Sequence, residues 1–136
     1  MLTWQQWLNK SHASMTAAQN SLKAGDLVAA VSRAYFATFQ AVTGVLIKRG
    51  DQPNSATGNW GHKGTQNQFL TLVRQVHSKR RRLRRTRGNF KDLYIACAHA
   101  DYGEDSIFTM NTTQQLVREA GHVVFLMQKL IEDGDI

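Results

Sequence analysis

An all-α fold, an antiparallel up-and-down bundle of about five helices, is what this sequence predicts. Three observations carry the prediction. Apolar residues recur at intervals of three and four through most of the chain, the period of a helix face. Alternation of β-branched residues is nearly absent. One proline stands against many Ala, Leu, Gln and Arg, which favour helix. A chain of 136 residues is one domain's worth, so residues 1–136 are expected to share one core.

Thr3-Trp4-Gln5-Gln6 reads as a capping box that opens the first helix, with Thr3 as N-cap and Gln6 reaching back. Trp4, Trp7, Leu8, Met15, Ala18 and Leu22 give that helix an apolar face, and the tryptophans are expected to be packing anchors. Gly25 stops it and Asp26 caps the next. The second helix, about Leu27 to Arg49 and ending at Gly50, is apolar nearly all round, which predicts burial. Within it runs Ser32-Arg33-Ala34-Tyr35-Phe36-Ala37-Thr38-Phe39. Arg33 in that run must either reach a surface with its head or meet a carboxylate.

A polar connection over about 51–64 follows, long enough to be functional, and Trp60 and His62 in it predict that its end folds back on the body. Thr65 to about Ser78 reads as a third helix, leading into a basic segment over 79–87. Gly88-Asn89 is expected to break the chain there, with a fourth helix from Phe90 to Asp101. A turn is expected at Tyr102-Gly103-Glu104-Asp105, then Ser106 to Met110. A fifth helix, capped by Asn111 or Thr112, runs to about Glu132.

The formal net charge is +7, and it is concentrated. Lys79, Arg80, Arg81, Arg82, Arg84, Arg85 and Arg87 put seven cations within nine residues, while the remaining ten basic residues balance ten acidic ones. Such a run binds polyanions with counterion release. Arginine suits bidentate phosphate contact and stacking on bases. A single cysteine, Cys97, excludes an internal disulfide and suits a reducing, cytoplasmic setting. Residues 1–25 lack a charged stretch followed by an apolar one, so no secretory leader is expected. No uninterrupted run of 18 apolar residues exists, so no membrane span is expected.

Catalytic patterns are sparse. There is no H-E-x-x-H, no cysteine pair, no carboxylate cluster and no glycine-rich phosphate loop, so neither a metal nor a cofactor is expected. Cys97 sits in an apolar stretch and reads as core. His99 is a weak acid–base candidate. Arg118 and His122 are spaced to share one helix face, although a surface pair is the plainer reading.

The run from Ser32 to Phe39 resembles the second-helix signature (S-R-Y-Y-A-x-F-H) of the HEPN superfamily, particularly its small stand-alone branch. Gly61-His62-Lys63-Gly64 with Phe69 is similar to that branch's H-x-G…F segment, and His99-Ala100-Asp101-Tyr102 to the end of R-x-x-A-D-Y. The resemblance covers about residues 10 to 132. It implies a HEPN-like bundle in which Arg33, Tyr35, His62, Asp101 and Tyr102 are the family-motif positions and Asp101 pairs with Arg33. It also implies RNA as substrate or ligand, a homodimer, and a cognate protein partner such as a nucleotidyltransferase-like antitoxin or an effector complex. The family's enzymes use Arg, four to six residues, then His, as metal-independent endoribonucleases. That spacing is absent here. Cys97 stands where the R-x-x-A-D-Y arginine would be, and Gln40 where the second-helix histidine would be.

Three readings follow. The first is a non-catalytic or degenerate RNA-binding member of a prokaryotic toxin–antitoxin, defence or CRISPR-type system. The second is a ribonuclease toxin with a non-standard Arg/His pair. The third is a helical adaptor that docks an acidic protein through its arginines.

Overall fold

The computed structural model describes residues 1–102 and 108–136, apart from the side chain of Tyr102. The expected turn over 102–105 and the start of the following segment lie outside the described residues in large part. Among the described residues the fold has five helices: α1 (Trp4–Lys23), α2 (Leu27–Arg49), α3 (Gly61–Gln75), α4 (Arg80–Tyr102) and α5 (Met110–Glu132). No strand occurs among the described residues.

The first boundaries are set by local chemistry. Thr3 Oγ1 accepts from Gln6 N at 3.2 Å, and Thr3 N donates to Gln6 Oε1 at 2.9 Å, so two otherwise unpaired donors are satisfied together. Asp26 accepts from Ala29 N at the start of α2. Gly50 closes α2 in the left-handed region, φ 102°, where a side chain would be strained.

Helix α2 packs against each of the other four. Its Ala30, Val31, Ala34, Tyr35, Ala37, Ala41, Val42, Val45 and Leu46 are at most 1 % exposed. Its length and hydropathy would suit a membrane span, but 72 % of that stretch is buried inside the bundle, which accounts for its composition as a core helix. Gly44 lets α1 approach: a Cβ there would lie 3.2 Å from Trp4 O and 3.3 Å from Trp7 Cβ. Ser11 Oγ donates to Ala37 O at 2.7 Å across the same interface.

Three elements differ from the sequence expectation. Helix α3 starts at Gly61 and not Thr65, because Asn59 Oδ1 accepts from Gly61 N and Trp60 packs on the core; the connection therefore ends near residue 60. Helix α5 is capped by Thr109, which exchanges hydrogen bonds with Thr112 in a second capping box, and not by Asn111 or Thr112. Gly88-Asn89 does not break the chain: α4 runs through it from Arg80 to Tyr102. Glycine and asparagine cost a helix about 1 kcal/mol or less each. Leu83, Phe90 and Leu93, all fully buried on one face either side of Gly88, outweigh that.

Two glycines should therefore respond oppositely to substitution. Gly44→Val should destabilise the fold by about 1–3 kcal/mol through overpacking against α1. Gly88→Ala, with open space at its Cβ position, should stabilise it by about 0.5–1 kcal/mol. Urea midpoints measured on both variants check the pair.

Candidate functional site

Helices α2, α3 and α4 meet at Tyr35, which is 1 % exposed. Its ring stacks on Phe90, with centroids 6.0 Å apart and planes at 18°, and contacts Phe36, Phe39 and Tyr94. Its hydroxyl is 2.6 Å from His62 Nδ1. His62 stacks on Tyr94 at 5.8 Å and 12°, and otherwise stays exposed. Tyr35, His62, Tyr94, Cys97 and Asp101 share one cleft of about 260 Å³. The residues from three separate stretches of sequence thus converge at one end of the α2–α4 seam.

Burial disfavours the charged forms of two groups in this cleft, Tyr35 and Cys97. It pushes the Tyr35 phenol well above its ordinary value, with the Cys97 and Tyr94 charges adding to the effect. The Cys97 thiol is pushed up to about 11, first by burial and then by the Asp101 carboxylate, whose Oδ2 lies 3.8 Å from Cys97 Sγ. Cys97 is 5 % exposed, a core thiol.

The expected Arg33–Asp101 pair does not form. Arg33 is exposed and makes no ion pair with a described residue. The cause is angular: two residues along a helix is about 200°, so Arg33 points away from the side on which Tyr35 faces the cleft. Gln40, at the position of the family histidine, is also directed elsewhere. In the amide orientation that satisfies its neighbours, its nitrogen donates to Lys10 O (3.0 Å), Ser14 Oγ (2.7 Å) and Phe36 O (3.2 Å), tying α2 to α1. His99, Arg118 and His122 are all exposed, and none lines the Tyr35–His62 cleft. Of the family-motif positions, Tyr102 has its side chain outside the described residues.

The basic segment is sorted by the continuity of α4. Arg80, Arg84 and Arg87, together with Lys91, recur at helical spacing on the face turned to α3, where Arg74 and Lys63 oppose them. They line two adjoining clefts of about 340 and 300 Å³ that share Leu70 and Arg87. The second reaches Tyr94, and through it the His62 cleft. Arg82 and Arg85 face α5 instead, and Arg81 is exposed. Lys79 does not belong to the row. It sits at φ 56°, ion-paired with Asp133 at 2.9 Å and with Asp135. Its hydrogen bonds to Asp135 and Asp133 raise its ammonium's affinity for the proton, and Lys79 in turn lowers both carboxyls. That lysine anchors the C-terminal tail.

Lys63, Arg74, Lys91 and Tyr94 were not legible as site residues from composition. Once α4 is continuous, the spacing Arg80, Arg84, Arg87, Lys91 is the signal that finds the row. Among the described residues no group of three His, Cys, Asp or Glu side chains is placed to hold a metal.

Cys97 supplies a direct check on the cleft. At pH 8 its alkylation by iodoacetamide should be about 100-fold slower in the folded protein than in urea, since a thiol pushed up by two pH units has about 100-fold less thiolate. The sign of the linked stability follows. The unfolded chain loses this proton near pH 9 and the folded one near 11, so the contribution is present below pH about 9 and is lost as pH rises towards 11. Alkaline unfolding curves of Cys97→Ala should lack that portion of the decline.

No curated protein matches the sequence. The family model for the HEPN domain matches residues 4–130. HEPN domains often act in nucleic-acid contexts and form dimers, and with that match spanning all five helices, this chain belongs to the HEPN domain family.

Proposed function

We propose that this HEPN-domain protein binds RNA along the groove between α3 and α4, as a non-catalytic or degenerate member of the family. One observation carries the reading. Six cations, Lys63, Arg74, Arg80, Arg84, Arg87 and Lys91, line two adjoining clefts whose walls include no carboxylate. None of the six is ion-paired to a described residue. From Arg80 to Lys91 the row is about 16 Å long, enough for several consecutive phosphates of one strand. Leu70 and Tyr94 supply apolar and aromatic surface within it, as a sequence-tolerant RNA groove needs.

The binding form is supported over the enzyme by the absence of the family's Arg–His spacing and by the two motif positions where its arginine and histidine would stand. Cys97 there is a buried thiol, and the Gln40 amide is committed to α1. The biological setting that fits a binding member is a cytoplasmic prokaryotic toxin–antitoxin, defence or CRISPR-type system, with a cognate protein partner.

A second reading rests on His62. Its imidazole is anchored by Tyr35 at Nδ1, stays exposed, and ends the cationic groove beside Lys63. In its imidazolium form His62 donates from Nδ1 to the hydroxyl oxygen of the neutral Tyr35 phenol, and Nε2–H can pass its proton to a leaving oxygen, which leaves a neutral imidazole. Such a site would cleave RNA without the family's Arg–His spacing.

Labelled single-stranded RNA titrated with the full chain at several salt concentrations, with binding and cleavage followed together, separates the readings. Arg84→Gln, Arg87→Gln and Lys91→Gln combined should weaken binding and make the salt slope shallower by about 2, at about 0.7 for each phosphate that is no longer neutralised. An unchanged slope would overturn the groove reading. Cleavage abolished by His62→Ala, with binding retained, would establish the second reading in its place.

A further inference from the structure

The other side of α4 carries a cleft that the groove reading does not use. Arg82, Arg85 and Asn89 from α4 face His122 and Phe125 from α5 across about 210 Å³. Buried Thr86 and Leu126 form its floor. Phe125 is 57 % exposed, whereas every other phenylalanine of the chain is buried or half-buried. The residue one turn before it, over which a helical side chain leans, is Gly121. A Cβ at Gly121 would meet nothing within 4 Å, so no packing demand explains glycine there, and the ring has an uncovered approach. Gly88 has the same open space. By helical angle it lies on the outer ridge of α4, between the face turned to α3 and the face turned to α5. Glycine without a packing reason inside a helix suits a place where another molecule comes close to the backbone.

We propose that this cleft is a subsite for one unpaired base of the same RNA. The base stacks on Phe125, its edge meets the Asn89 amide and the His122 imidazole, and the adjoining phosphates meet Arg82 and Arg85. The strand leaves the α3–α4 groove, crosses α4 over the bare backbone at Gly88, and enters the cleft. The inference rests on the groove reading and extends it: the preferred ligand is single-stranded RNA, because a base held in a duplex cannot reach the ring. A second copy of this chain is a poorer occupant. A two-fold contact through this cleft would bring Arg82 and Arg85 of both copies together, with no described carboxylate lining the cleft to offset them.

The test uses the full chain as wild type, Phe125→Ala and Phe125→Trp, with a short oligoribonucleotide carrying one 2-aminopurine, single-stranded or annealed to its complement. Wild type should quench the 2-aminopurine of the single strand. Phe125→Ala should abolish the quenching and weaken single-strand binding by between about 5-fold and about 150-fold, the range for loss of one stacked base. Duplex affinity and the salt slope should not change, and Phe125→Trp should restore both quenching and affinity. Equal quenching and affinity in Phe125→Ala would overturn the subsite and leave the groove reading standing. No binding of either RNA by wild type would overturn both. Loss of self-association in Phe125→Ala with unchanged RNA affinity would overturn the subsite and assign the face to a second copy.

Discussion

The 2.6 Å hydrogen bond between Tyr35 and His62 is the contact on which the rest of the arrangement depends. Tyr35 is fully buried in α2, and a buried phenol without a partner would cost the unmade bond. The partner it finds is the second residue of α3, so this bond acts with the Asn59–Gly61 contact to hold the start of that helix in place. Tyr94 of α4 then stacks on the same imidazole. Three helices are thereby positioned by one polar contact inside an aromatic cluster. Helices α3 and α4 then meet through Phe69 and Phe90, ring centroids 5.8 Å apart, and the groove lies beside that contact. The groove's cations follow from that placement.

What the sequence made legible, and what it did not, divides along one physical line. Features decided within a few residues were readable: the Thr3–Gln6 capping box, Asp26 as a cap, Gly50 as a left-handed stop, and α2 as the buried helix. Features decided by competition between local preference and burial were not. Gly88-Asn89 has the local chemistry of a breaker, yet Leu83 and Phe90 must both reach the core, and continuity of α4 is what allows it. Misreading that point hid the row that includes Lys91, since the row exists only on an unbroken helix. Arg33 shows the same division. Its place in an apolar run left open whether its head would reach a surface or meet a carboxylate, and its angle on α2 sets it in solvent. The family resemblance gave Tyr35, His62 and Asp101 as motif positions, and in the structure these three line one cleft. It also implied a cation beside them that this chain does not supply from Arg33.

The organisation of α4 is hard to explain as a means of stability. The N-terminus of a helix carries a positive partial charge from its unpaired N–H groups, and cations placed there are unfavourable by about 0.3–1 kcal/mol each at low salt. Helix α4 nevertheless opens on Arg80, Arg81 and Arg82 with no acidic residue in its first turn. Arg80 and Arg84, and Arg81 and Arg85, are like-charge pairs one turn apart, which add repulsion. Other helices of this protein are finished in the usual sense: α2 is capped by Asp26 and ends on Lys48 and Arg49. One helix is therefore built against its own dipole while its neighbour follows it. The burial of Leu83, Phe90 and Leu93 holds that helix together despite the repulsion. An anion laid along it relieves both the repulsion and the dipole at once. The positive potential that weakens the free protein is then the driving force for binding a polyanion, and salt, which screens the one, must weaken the other.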